Sequence, residues 1–94
     1  MRTIKQTKRF KRDLKREVKG KHKEHLQASF AQVVEILARD LPLPESFHDH
    51  GLSGDWSDHR DCHIKPDLVL IYRKPDPQTL QLIRIGSHAE LGIG

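Results

Sequence analysis

The sequence predicts an α+β fold, ordered β-α-α-β-β-β, in which a helical hairpin packs on one face of a small, mainly antiparallel sheet. Three observations predict it. Apolar residues recur every three or four positions through the first forty or so residues, then switch to alternation beyond Trp56. The links between the last three apolar runs are also too short for parallel crossovers, so those strands form a meander. At 94 residues, 35% apolar and 32% charged, the chain suits a single domain, 1–94, with a thin core.

Residues 2–7 (RTIKQT) are polar and partly β-branched, as an edge strand would be. Thr7 can cap a helix that begins at Lys8, whose narrow apolar stripe is Phe10, Leu14 and Val18 and whose C-terminal stop is Gly20. A second helix is predicted over residues 22–40, with Leu26, Phe30, Val33, Leu37 and Leu41 on its inner face. Pro42 ends it, because the residue before a proline avoids helical geometry. The segment 41–47 (LPLPESF) reads as an extended connector and 48–51 (HDHG) as a turn. In residues 56–64 (WSDHRDCHI), alternation puts His59, Asp61 and His63 on one face and Arg60, Cys62 and Ile64 on the other. Residues 68–72 (LVLIY) suit a strand buried on both faces, and residues 79–85 (TLQLIRI) make the last strand. The tail AELGIG is too short to assign.

The net charge of +4 hides a strong asymmetry. Residues 1–25 carry eleven Lys/Arg against Asp13, Glu17 and Glu24, a net of +8; the other 69 carry six against ten acids, a net of −4. A solvated helix face would account for some of this. So dense a cluster points instead to a polyanion, with Lys8, Arg9, Lys11, Arg12, Lys15 and Arg16 as candidate RNA contacts. No apolar run is long enough to span a membrane, and the basic N-terminus lacks the apolar core of a secretory signal. A lone Cys62 makes no internal disulfide, so the expected setting is a reducing cytoplasm.

Five of the seven histidines, at positions 48, 50, 59, 63 and 88, fall in the sheet half, with Asp61 and Asp67 bracketing His63. His22 and His25 fall in the basic half and are expected to face solvent. Imidazole exchanges protons near neutrality, and RNA cleavage needs both a base for the 2′-hydroxyl and an acid for the 5′-oxygen. Arg84 can offset charge on the phosphorane-like transition state. A single histidine on a strand is more often structural, and Asp61 has Arg60 and Arg84 as simple ion-pair partners. The set around HDH and HRDCH also offers metal ligands, but no zinc-finger spacing is present and Cys62 should face away from His63.

The combination Asp49-His50, Leu52, Gly54 and Trp56, then Arg60-Asp61, His63 and Pro66-Asp67, then Arg84, Gly86, Ser87 and His88 resembles the YafQ branch of the RelE/ParE toxin superfamily. The match is strong over residues 41–88 and rests on architecture and charge before that. The resemblance implies a RelE-like fold and a type II toxin: a ribosome-dependent endoribonuclease, or mRNA interferase, that cuts translated mRNA in the A site without metal or cofactor. It implies a cognate antitoxin, with ribosomal RNA and mRNA as the other partners. The active-site residues it implies are His50, Asp61, His63, Asp67, Arg84 and His88. Within that set His88 is expected as general acid, His50 or His63 with Asp61 and Asp67 on the base side, and Arg84 on the scissile phosphate. Leu68 and Gly92 stand where this branch often carries tryptophan and phenylalanine, which suggests an altered grip on the codon. The alternatives are a gyrase-poisoning toxin of the same fold, a branch that generally lacks the histidine site, and a basic RNA-binding module without catalysis.

Overall fold

The computed structural model describes residues 1–20 and 23–93. The solvent-facing expectation for His22 and His25 falls on a residue and a side chain outside that description. Strand β1 (Thr3–Gln6) leads into helix α1 (Lys8–Val18), and helix α2 (Lys23–Ala38) follows. Next come a two-residue strand β2 (His50–Gly51), then β3 (Arg60–Lys65), β4 (Leu68–Arg73) and β5 (Thr79–Gly86), and a short helix α3 (His88–Leu91). The sheet order is β1-β5-β4-β3-β2. All pairings are antiparallel except β1 with β5, which is parallel. The expected edge strand, helical hairpin and meander are all present.

Local chemistry explains the boundaries. The Thr7 hydroxyl accepts from the Phe10 amide at 3.0 Å, which starts α1 as its sequence predicted. Helix α2 stops short of Pro42, with Asp40 in the left-handed region. Helices and sheet enclose one core built from Phe10, Leu26, Val33 and Leu37 against Cys62, Leu68, Leu70, Leu80, Leu82 and Ile85. Phe10 and Phe30 stack at 5.8 Å to tie the two helices together.

Three expectations need correction, and the unassigned tail gains a structure. The connector 41–47 is not extended throughout, since Glu45–Phe47 winds into a 3₁₀ turn. The turn at 48–51 contains β2, which pairs His50 with Asp61 and so extends the sheet by one strand. The strand foreseen from Trp56 begins only at Arg60, because Gly54–Trp56 winds into a single 3₁₀ turn. The tail forms α3, held by a reciprocal cap: the Ser87 hydroxyl accepts from the Glu90 amide, and the Glu90 carboxylate accepts from the Ser87 amide. Leu91 of α3 then covers Val69 and Ile71 on the face opposite the main helices. That face is only partly covered, and the rest of it carries the histidines.

Candidate active site

Alternation on β3 sends Cys62 and Ile64 into the helix-side core and Asp61 and His63 to the open face. His63 becomes the hub of a cluster. Its ring centroid lies 5.0 Å from that of His88, 5.4 Å from His48 and 6.2 Å from His50. Register explains the convergence, since β2 sets His50 opposite Asp61 and β4 sets Val69 between His63 and Gly86. His88 starts helix α3 two residues past Gly86. Together His50, Asp61, His63, His88 and Trp56 line a cavity of about 380 Å³.

The protons in this cluster are constrained by its hydrogen bonds. His50 Nδ1 donates to the His48 carbonyl at 2.9 Å, so its Nε2 is the nitrogen that faces Asp61, 3.0 Å from Oδ1. The approach is off the line of a hydrogen bond, and the buried Oδ1 has no aligned donor. Burial pushes the Asp61 carboxyl above its ordinary pKa, although the neighbouring His50, His63 and His88 pull the other way. His63 is lowered, first by burial and then by the surrounding imidazoles, against the opposing pull of Asp61. His88 Nδ1 donates to Asp67 Oδ1 at 2.9 Å, and the same carboxylate oxygen accepts the His88 backbone amide at 3.1 Å. That double contact fixes the ring and leaves Nε2 for a substrate. Asp49 stabilises the adjacent connector, accepting from the Tyr72 hydroxyl and from Arg60 Nη2 at 3.0 Å.

Arg84 stands apart from this cavity. Its guanidinium grips Asp13 of α1, with Nη2 to Oδ1 at 3.1 Å, and the Ile85 amide donates to the same carboxylate at 3.2 Å. Burial raises the Asp13 pKa, but the Arg84 bond, the Ile85 amide and the charges of Arg84 and Arg16 together bring it below its usual value. Arg84 thus has Nε and Nη2 committed to Asp13, and it does not line the histidine cavity. Arg16 is similarly engaged. It binds Asp13 and Glu17, donates to the Ile85 carbonyl at 2.9 Å, and lies 3.1 Å from Glu90 Oε2 of α3. By contrast Lys8, Arg9, Lys11, Arg12 and Lys15 are exposed on α1.

Sequence reasoning placed His59 beside Asp61 and His63. It lies before the strand begins, with its ring edge-on to Trp56 at 5.4 Å and Nδ1 bonded to the Ser57 carbonyl. Leu68 is fully buried in the helix-side core, so its side chain does not touch RNA. Gly92 does line the cavity, where it closes α3 with a φ of 70°. The missed member is His48, which takes φ 49° and turns its ring towards His63. No regular spacing signalled it, because the left-handed backbone at His48 interrupts the chain just before the strand that carries His50. Among the described residues no group of three His, Cys, Asp or Glu side chains has a geometry that would hold a metal ion.

Comparison with known proteins identifies the family and the fold. Residues 2–92 match the model of the YafQ bacterial toxin of type II toxin–antitoxin systems. The chain is 34% identical over 90 residues to the mRNA interferase toxin YafQ of Escherichia coli K12, covering 96% of this chain and 95% of that one. A metal-bound toxin from Helicobacter pylori is 42% identical and superposes with a TM-score of 0.82, over 97% of this chain and 99% of that one. The toxin in the E. coli DinJ–YafQ toxin–antitoxin complex is 32% identical with a TM-score of 0.82, covering 96% of each chain. With its two main helices on a five-stranded mixed sheet and a match spanning nearly its whole length, this chain belongs to the YafQ family of type II toxins.

Proposed function

We propose that this toxin is an endoribonuclease that cuts translated mRNA in the ribosomal A site by acid–base catalysis at the histidine cluster. The observation that carries the reading is the convergence of His50, His63 and His88 with Asp61 on one cavity of the open sheet face. The relatives named mRNA interferase support the substrate class.

His63 serves as the base. Its lowered pKa keeps the ring neutral near pH 7, so it can take the 2′-hydroxyl proton. The 2′-oxygen then attacks the adjacent phosphorus, and the bond from phosphorus to the 5′-oxygen breaks. His88, oriented by Asp67, delivers a proton to that leaving oxygen. Rings 5.0 Å apart can serve both oxygens, because these flank the same phosphorus. The His50–Asp61 pair supplies nearby charge and holds the cavity wall. Arg84 offsets phosphorane charge once it is drawn away from Asp13. The exposed cations of α1 hold ribosomal RNA, and a cognate antitoxin covers the basic surface until it is removed.

Purified protein added to ribosomes carrying a defined A-site codon should cut that codon. Cutting should persist when transition metals are chelated with Mg²⁺ retained for the ribosome. Loss on chelation, restored by zinc, would make the histidines ligands and overturn the mechanism.

A further inference from the structure

His63 is the wall between two cavities. On its far side from the catalytic cavity lies a second one of about 420 Å³, lined by Ser46, Phe47, His48, Lys65 and Pro66. We infer that this second cavity is a nucleotide subsite, taking the base and phosphate of an RNA residue next to the one that is cut. The inference rests on the endoribonuclease reading and deepens it.

A single strand cleaved at His63 continues in both directions from the scissile phosphate, so a neighbouring nucleotide must lie along the sheet on either side. The second cavity has the groups such a nucleotide uses. Phe47 ends a 3₁₀ turn and is half-buried, packed on one side against the helix-side core. A ring fixed in this way offers a stacking surface at small entropic cost, and stacking on aromatic rings is how proteins hold unpaired bases. Lys65 ends β3, just past a bulge between His63 and Lys65 that breaks the regular pairing with β4. No ion pair or hydrogen bond among the described residues engages its side chain, in contrast to Arg16, Arg60 and Arg84. An ammonium and an aromatic ring lining one cavity suit the pairing of phosphate and base. His48 links the two cavities, because its left-handed backbone turns the chain straight after Phe47 and brings its ring to His63. Leu68 is buried and Gly92 has no side chain, so neither stacks on a base. Phe47 supplies an aromatic surface on the other side of His63.

The test is codon cleavage on programmed ribosomes, with KM and kcat resolved for Lys65→Gln and Phe47→Leu and the identity of the nucleotide beside the cut varied. Each variant should raise KM roughly tenfold, the size of one phosphate or stacking contact, with the loss falling mainly on KM. Phe47→Leu should also flatten the base preference at the neighbouring nucleotide, while Lys65→Gln leaves that preference in place. Lys65→Arg and Phe47→Tyr should restore parental values. A thermal midpoint within a few degrees of the parent separates these effects from misfolding. Unchanged KM and base preference in both folded variants, with the parent still cutting, would overturn the subsite alone. A parent that leaves mRNA intact would overturn the endoribonuclease reading together with it.

Discussion

Asp61 is a buried carboxyl that pays in stability for its place in the cluster. Its Oδ1 has no aligned donor, and burial raises its pKa, so ionisation costs folding energy once pH exceeds the unfolded value near 4. A raised carboxyl pKa means a contribution that is intact at low pH and lost as pH rises through the folded pKa. Asp61→Asn should therefore stabilise the protein at pH 8, by about 1 kcal/mol or about 4–8 °C in thermal midpoint, while reducing cleavage. A variant with lower midpoint and full activity would show Asp61 to be structural. His63 has the opposite sign. Its lowered pKa means that stability is retained above about pH 6.5 and falls as acid protonates the ring, and the base it provides persists somewhat below that pH. The acid limb of the cleavage profile should thus lie below pH 6.5, and a limb above 7 would assign the base elsewhere. His88→Ala should cost about 10²–10⁴-fold in cleavage. A substrate with a better leaving group at the 5′-oxygen should recover much of that loss, whereas His63→Ala should not be recovered by it. Equal recovery of both variants would reverse the assignment of acid and base.

Helix α1 does two jobs that its sequence presents as one. Its cap at Thr7 and the inward-facing Phe10 and Leu14 were legible because they depend on local spacing, whereas Val18, read as part of the same stripe, is exposed at the end of the helix. The burial of Asp13 was not legible, because Arg84 and the Ile85 amide that hold it come from β5, far away in sequence, and Glu17 is buried with Arg16, which itself reaches Glu90 of α3. Asp13→Ala leaves Arg84 and the Ile85 amide buried without their acceptor, and should destabilise by about 3 kcal/mol, measured by denaturant unfolding. A loss below 1 kcal/mol would mean that water replaces the carboxylate freely. Charge reversal at three of Lys8, Arg9, Lys11, Arg12 and Lys15 should instead leave stability nearly unchanged. It should weaken ribosome binding and flatten its salt dependence, because each lost phosphate contact removes about 0.9 from the slope. Reversal at Arg16 belongs to the first class, since its guanidinium is held by protein carboxylates. An unchanged salt slope would reduce the exposed face of α1 to solvated surface. In the sheet, the period-two pattern gave the correct faces for Cys62 and His63. It overran at Trp56 because a 3₁₀ turn there has no distinct hydrophobic period. Helix α3 passed unseen although Ser87 and Glu90 stand at capping-box spacing, its four residues being too few for a periodic signal.

At the scale of the molecule, the sheet separates two functions. Helices close one face and complete the core, so the opposite face is free to expose β2, β3 and the start of α3, where His50, His63 and His88 meet. That convergence depends on register between strands, which sequence could suggest through the meander but not fix. Recognising the spacing of His50, Asp61, His63 and His88 compensated for this, whereas His48 and the engagement of Arg84 with Asp13 needed coordinates. A basic toxin with an open site also needs restraint in its host. Expression alone should arrest growth and co-expression with a cognate antitoxin should relieve it; harmless high-level expression of the parent would contradict this. The central claim, that the histidine cluster cuts mRNA codon by codon, is tested most directly by mapping mRNA 5′-ends in cells after brief induction of the parent and of His63→Ala at matched levels. The account predicts new ends in frame with codons in the parent and their loss in the variant. Ends without codon phase, or the same phased ends in both, would contradict it.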